Sequence, residues 1–307
     1  MLTSFFGKSR PVNLVLAGAY LLLFYLLYNF SRLTGSSLSG FFLETTVFLI
    51  LLLSLFVLNF ISAKNELTGR NAYKIVLVLC FACMLPETLR NNQIVFSNFF
   101  VLLSLRRIVS LRSQRDSISK IFDAALWIGI ASLFYFWSLL FLLLLYAGIV
   151  FHVGHRFKNF LIPLVSILVL FILATLVDLL ITDTFFIFSD WYMKSHFDFE
   201  VYQNYEILLP AALLLTLFLW TGFFYVLMIQ KVTSNLRTSY VLILLYAFLA
   251  LVVSVLAPIK TSAELLFFLP PLALIGTNYF QVPRDRWFRE ILLMLLIILP
   301  WVIFFAF

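Results

Sequence analysis

Charged residues are scarce in this chain. They make up 11% of its 307 residues, whereas hydrophobic residues make up 64%. With a mean hydropathy of +1.08, the chain has too little polar surface to cover a water-soluble fold. The composition therefore predicts an all-α, polytopic membrane protein.

A net charge of +7 would suggest nucleic-acid binding in a soluble protein. Here the basic residues stand in short loops between apolar stretches, where they orient a membrane chain, so we expect no nucleic-acid partner.

Cysteine and long polar loops are also nearly lacking. Cys80 and Cys83 form a Cys-x-x-Cys pair inside the apolar run 75–85, with no second cysteine pair or histidine nearby to complete a metal site. We therefore expect no metal and no cofactor. The longest loop, 183–206, mixes aromatic and acidic residues, which is typical of a segment at the membrane interface and, alternatively, of a substrate lid. No loop can form a separate domain, so 1–307 is predicted to be one membrane domain.

What the sequence does contain is a series of apolar spans, and about eleven helices are predicted from them. These spans are 12–31, 41–62, 72–88, 93–111, 121–134, 138–153, 159–182, 207–230, 239–257, 263–280 and 290–307. Basic residues crowd both flanks of residues 121–153, and a single crossing would place one basic cluster on the wrong side of the membrane. This pattern predicts a hairpin that turns near Tyr135–Ser138. No cleavage site follows the first span, so we expect a retained helix.

The basic residues also predict an orientation, with the N-terminus inside and the C-terminus outside. Of the 21 lysines and arginines, only four then fall outside: Arg32, Arg90, Lys194 and Lys260. Acidic residues lean toward the outer ends of the spans. We therefore expect recognition or chemistry at the outer face.

One outer feature is the segment 257–280, which contains Lys260, Glu264 and the pair Pro270-Pro271. Thr261 to Glu264 fits a capping box, in which the glutamate reaches back to the helix start. Lys260 would then be a headgroup anchor that snorkels to the interface. The alternative interpretation is an anion site suited to a phosphate. The proline pair removes two backbone donors and is expected to break the span at its centre.

Two further outer features carry acidic residues. Glu87 and Arg90 follow Pro86 and stand before Asn91, Asn92 and Gln93. They fit either a solvated turn or the lining of a polar cavity. Glu44 lies a little inside the start of the second span, where a carboxylate costs about 1–3 kcal/mol unless it is paired or hydrated. It is either a charge favoured by the helix dipole or the first acid of an active site.

The run from Lys260 to Ile275 places a basic residue before an aromatic-aliphatic stretch and Leu-Pro-Pro-Leu-Ala-Leu-Ile. It resembles the late-helix motif of the C-type membrane glycosyltransferases, which use polyprenyl-phosphate sugars at the outer face. The stretch Met84 to Arg107 is similar to their outer turn and returning helix. Together these segments cover about a third of the chain. The resemblance implies that Lys260 faces a lipid phosphate. The chain also looks similar to uncharacterised bacterial inner-membrane proteins, which implies that location.

This chain departs from the family pattern at its acidic residues. The family's first outer loop carries an acidic motif, whereas residues 32–43 contain no acid and the nearest is Glu44. A second expected acid is replaced by Asn92 and Gln93, which leaves Glu87 upstream. The large outer soluble domain common in the superfamily is missing.

The leading hypothesis is a glycosyltransferase-like protein that binds a membrane lipid such as polyprenyl phosphate in an outward cavity. Glu44 would activate an acceptor hydroxyl, Lys260 and Arg90 would contact phosphate, and Glu87 and Glu264 would orient them. The alternative is a non-catalytic subunit that holds a membrane-protein partner in an envelope complex. A transporter fits less well, because ionisable residues are nearly absent from the middle of the spans.

Overall fold

The computed structural model describes residues 2–35, 37–154, 156–183, 185, 191–282 and 286–306. These residues form α-helices and 3₁₀ turns, with no β-strand among them. Eight of the helices are long and apolar enough to cross a membrane. The prediction of a helical, multi-pass membrane protein is thus confirmed. Arg284, one of the 17 basic residues predicted to lie inside, and Phe307, the end of the last predicted span, lie outside the described residues.

Helix is present over each of the eleven predicted stretches, although not every helix reaches spanning length. The α-helices in the described residues are α1 Leu2–Phe6, α2 Pro11–Gly35, α3 Leu38–Lys64, α4 Tyr73–Cys83, α5 Glu87–Arg90, α6 Asn92–Ser110, α7 Ser117–Phe134, α8 Phe141–His152, α9 Phe157–Thr182, α10 Tyr205–Ile229, α11 Ser234–Leu256, α12 Leu269–Gln281 and α13 Arg286–Ala306. The 3₁₀ turns are Leu111–Ser113, Phe136–Leu140, Glu200–Gln203 and Ala263–Phe267. The helices shorter than a span include α4, α8 and α12.

The predicted hairpin is present. Helix α7 ends at Phe134, and Tyr135 adopts an extended backbone with φ −147° and ψ 105°. The side-chain amide of Gln114 donates to the carbonyl of His152 at 3.0 Å, so the start of α7 and the end of α8 lie at the same end of the molecule. At the opposite end, near the turn, the indole of Trp191 donates to the carbonyl of Ser132 at 2.8 Å.

The centre of the bundle is formed by two short helices that pack together, α4 and α12. Every residue of α4 is buried, and so is every residue of α12 except Tyr279 and Gln281. By contrast, only Asn159, Pro163 and Ser166 are buried in the 26 residues of α9. Most of α9 therefore presents apolar side chains outward, as expected of a helix that faces lipid tails.

The segment 257–280 is broken near its centre, as predicted, but the proline pair removes no hydrogen-bonded donor. Pro270 and Pro271 stand in the first turn of α12, where the backbone N–H groups have no intrahelical acceptor in any case. The span is instead divided at Phe268, between the 3₁₀ turn and α12. As a result, the turn Ala263–Phe267 is an independent segment that packs against α5, α6 and α11.

Candidate functional site

The polar residues predicted for the outer site gather at one end of the bundle. Glu44 and Arg90 both hydrogen-bond to α2, at Tyr25 and Tyr28 respectively. Helix α5, which carries Arg90, packs against the 3₁₀ turn that carries Glu264. The packing of α2, α5 and this turn therefore brings together residues that are more than 200 positions apart in the sequence.

Glu44 is buried, with 7% of its surface exposed. It is the seventh residue of α3, two turns from the helix start, so the interpretation as a charge at the N-terminus of a helix does not describe its position. The hydroxyl of Tyr25 lies 2.8 Å from Glu44 Oε2 and 2.8 Å from the Glu44 carbonyl oxygen. The carboxylate is therefore oriented by a hydroxyl from α2.

Arg90 holds the 86–91 turn against α2. Its Nε and Nη2 donate to the carbonyl of Tyr28 at 3.1 and 2.7 Å. Its Nη1 lies 3.5 Å from Glu87 Oε1. Arg32 in turn donates to the carbonyl of Arg90 at 3.0 Å. The predicted pairing of Glu87 with Arg90 is present, and the Nε and Nη2 edge of the Arg90 guanidinium is bound to the backbone carbonyl of Tyr28.

Lys260 is buried, with only 4% of its surface exposed, so it is not a snorkelling headgroup anchor. Its ammonium donates to the carbonyls of Ser254, Val255 and Ala257. These carbonyls lie at and just beyond the end of α11, where no intrahelical donor remains for them. The ammonium also lies 5.0 Å from the ring centroid of Phe199. Lys260 thus caps α11 and brings a buried positive charge to the end of the bundle where these polar residues gather.

Glu264 has no exposed surface. Its Oε2 accepts from the backbone N–H of Thr261 at 3.2 Å, as the capping-box interpretation predicted, and its Oε1 accepts from the hydroxyl of Tyr202 at 2.8 Å. Among the described residues, no basic side chain lies within 4.0 Å of this carboxylate. Glu264 nevertheless interacts electrostatically with Lys260. Burial lowers the pKa of the Lys260 ammonium, and the charge of Glu264 opposes that shift.

An apolar groove of about 430 Å³ lies directly beside this pair. The groove runs between α10, α11 and the 3₁₀ turn, and Tyr202 and Ser254 at its edge also contact Glu264. The apolar side chains that line it include Leu208, Leu215 and Val255, which are 42–45% exposed. Since these three side chains lie on the outer surface of the bundle, the groove opens sideways, toward the position of lipid tails in a membrane.

Sequence reasoning missed the tyrosines of this site. Tyr25 and Tyr202 hydrogen-bond the two buried carboxylates, and the hydroxyl of Tyr135 is buried without a hydrogen-bond partner among the described residues. The ring of Tyr135 lies 5.6 Å from that of Phe267, at an angle of 31°, and Phe267 is one turn from Glu264. A tyrosine inside an apolar span gives no local signal of its partner. A buried Glu264 could nevertheless have suggested that a hydroxyl donor was required.

No protein-family model, no curated protein and no solved structure matches this chain. The functional conclusion therefore depends on the geometry of the chain itself. That geometry defines a helical, multi-pass membrane protein with a cluster of buried charges and tyrosines at one end. An apolar groove lies beside this cluster, at the side of the bundle.

Proposed function

We propose that this protein binds a lipid with a phosphate headgroup, such as polyprenyl phosphate or its sugar-linked form, at its outer face. The observation that carries the proposal is the apolar groove beside Lys260 and Glu264. Each methylene that leaves water for such a groove contributes about 0.8 kcal/mol, although lipid tails already supply much of that contact in a membrane. Specificity would therefore come from the headgroup end, where Lys260 provides the positive charge.

The proposed roles follow the contacts of each side chain. Lys260 acts on a phosphate by its charge, because its N–H donors are engaged by backbone carbonyls. Arg90, oriented by Glu87, is the second phosphate contact, and Glu264 orients the Lys260 segment. If the protein is a glycosyltransferase-like enzyme, Glu44 is the base for an acceptor hydroxyl and Tyr25 orients it.

We also propose a topology for the chain. All eleven helical stretches cross the membrane, with the N-terminus inside and the C-terminus outside, in the inner membrane of a bacterium. The strong excess of basic residues on one side supports this orientation. The burial of α4 and α12 supports crossings by helices that are shorter than a bilayer, since their ends are covered by protein rather than lipid.

The test is a substitution that fills the groove and leaves every charged side chain in place. Ala212 lines the groove and is exposed, so Ala212→Phe inserts a ring where the lipid tail would lie. Ala19 is an exposed alanine on α2 that does not line this groove, and Ala19→Phe is the matched control. Native mass spectrometry of protein extracted in mild detergent should show a retained polyprenyl-phosphate lipid in the wild type and in Ala19→Phe, and its loss in Ala212→Phe. Equal retention by both variants would refute this groove as the site.

A non-catalytic subunit is the second candidate, and the exposure of α9 favours it. Beyond Ser166, α9 buries no side chain in the part of the chain that the structure describes. Lipid tails would cover this surface in a solitary protein, and a partner helix would cover it in a complex. Co-purification of a stoichiometric second membrane protein, without a polyprenyl lipid in the mass spectrum, would favour the subunit.

A further inference from the structure

A polar cavity of about 210 Å³ lies at the end of the bundle opposite the apolar groove. It is formed where α3 and α6 end and α7 begins. Glu44 near one end of α3 and Lys64 at the other are separated by 20 residues of helix, about 30 Å. The cavity is therefore separate from the groove described above. Five basic side chains line it: Lys64, Arg106, Arg107, Arg112 and Lys120.

These positive charges are not balanced by protein. Arg107 pairs with Asp123 at 2.9 Å, but in the described part of the chain none of the other four cations has a carboxylate within 4.0 Å. Asp116, which precedes α7 by one residue, and Glu66, which follows Asn65 of the cavity wall, are the other acids in this region. Five cations against three acids leave a surplus of two positive charges around one concavity, and a bound anion would relieve their repulsion.

Part of the cavity wall is held in place by hydrogen bonds. Lys120 donates to the carbonyl of Ser110 at 3.0 Å and to Ser113 Oγ at 2.6 Å. Arg112 donates to the carbonyl of Asn65 at 3.4 Å. These contacts fix the positions of two cations before any ligand arrives, which reduces the entropy that binding must overcome.

The two remaining cations have donors to spare. Arg106 and Lys64 both lie against the ring of Phe60, at 4.9 and 5.4 Å from its centroid. The face of the ring attracts both cations, but it is not a conventional hydrogen-bond acceptor for their N–H groups. Among the described residues, neither side chain has a hydrogen-bond acceptor. A guanidinium with free N–H groups is suited to a bidentate contact with phosphate oxygens.

We propose that this cavity binds a phosphate group, with Arg106 and Lys64 as its principal contacts. Its volume is below that of a typical pocket for a drug-sized molecule, so the ligand enters with its phosphate rather than with a large body. The phosphate belongs either to the headgroup of an anionic lipid in the adjacent leaflet or to a free anion such as pyrophosphate. This inference does not depend on the function proposed for the outer groove.

The experiment measures thermal stabilisation of the full chain by two probes. The first is phosphatidylglycerol added to protein in phosphatidylcholine nanodiscs, and the second is free pyrophosphate added to protein in pure phosphatidylcholine. The test variant is Lys64→Gln with Arg106→Gln. The matched control is Arg156→Gln with Lys158→Gln, which removes the same charge from exposed positions that do not line the cavity. The charge-preserving pair Lys64→Arg with Arg106→Lys shows whether a weaker response of the test variant comes from lost charge or from misfolding at these two positions.

The probe that binds should raise the melting temperature of the wild type, of the control and of the charge-preserving pair. The apparent affinity for that probe should fall about tenfold or more in the test variant, because two charge-assisted hydrogen bonds are lost. Stabilisation by phosphatidylglycerol alone identifies a lipid headgroup, and stabilisation by pyrophosphate identifies a free anion. Equal responses of the test variant and the control, or no response to either probe, would overturn the proposal.

Discussion

Three charged residues at the end of the bundle near the hairpin turn, Glu44, Lys260 and Glu264, are buried, and each bonds backbone or tyrosine groups. The ammonium of Lys260 is bound by three carbonyls, and the carboxylate of Glu264 is bound by an N–H and a hydroxyl. Burial of a charge is costly unless such partners are present. These contacts allow two opposite charges to remain near each other without a direct ion pair.

The first residue-scale prediction concerns the cap of α11. Lys260→Met keeps an apolar stem but leaves the carbonyls of Ser254, Val255 and Ala257 without their donor. We expect a loss of about 1–3 kcal/mol in stability, visible as a lower melting temperature in detergent. Lys194→Met removes a charge from an exposed position and should melt like the wild type. If the two variants melt alike, the cap contributes no stability.

At the scale of elements, the positions of basic residues and the lengths of apolar runs predicted more of the helical architecture than sequence motifs did. The break at Tyr135 followed from basic flanks on both sides of a long apolar stretch, and helix bounds agree to within a few residues for most spans. The pairing of Tyr25 with Glu44 and of Tyr202 with Glu264 could not be predicted. Spans that are apolar all round have no periodicity from which to infer which faces meet, and these partners lie on different elements.

Close packing of α7 against α9 provides the element-scale prediction. A Cβ atom added to Gly129 would lie 2.5 Å from Leu170 Cδ2 and 3.1 Å from Ile167 Cδ1, so a side chain there must displace the side chains of Leu170 and Ile167 on α9. Gly129→Leu should therefore lower stability by about 1–3 kcal/mol through overpacking. The measurement is the melting temperature in detergent.

The matched control for this prediction is Gly18→Leu in α2. Its nearest neighbour would be Leu52 Cδ2 at 3.7 Å, an ordinary contact. Both substitutions gain the same helix propensity, since each replaces a glycine within a helix. A difference between them consequently reports packing alone. A Gly129→Leu protein as stable as the Gly18→Leu protein would contradict the close approach of α7 and α9.

At the scale of the whole molecule, the polar groups divide between two ends of an apolar bundle. Glu264 and its partner Tyr202 lie at the end of the hairpin turn, and the basic cavity lies at the end where Gln114 meets His152. The middle is formed by α4 and α12, which are almost wholly buried. This division gives the protein two separate polar regions at opposite ends of the bundle.

Cysteine labelling from outside intact cells tests this arrangement. Ser113 and Lys158 lie near the basic end, whereas Lys194 follows Trp191 at the hairpin turn, and all three are exposed. We expect a membrane-impermeant maleimide to label Lys194→Cys in intact cells, and to label Ser113→Cys and Lys158→Cys only after permeabilisation. Cys80 and Cys83 need not be removed, because both are buried.

The two ways in which this labelling can fail have different meanings. If all three positions exchange sides together, the fold stands and the orientation inferred from basic residues is inverted, which would place the basic cavity outside. If Ser113 and Lys194 are labelled from the same side, the two ends of α7, about 27 Å apart, do not lie on opposite faces of the membrane. In that case α7 does not cross, and the outer groove and the basic cavity would share one face.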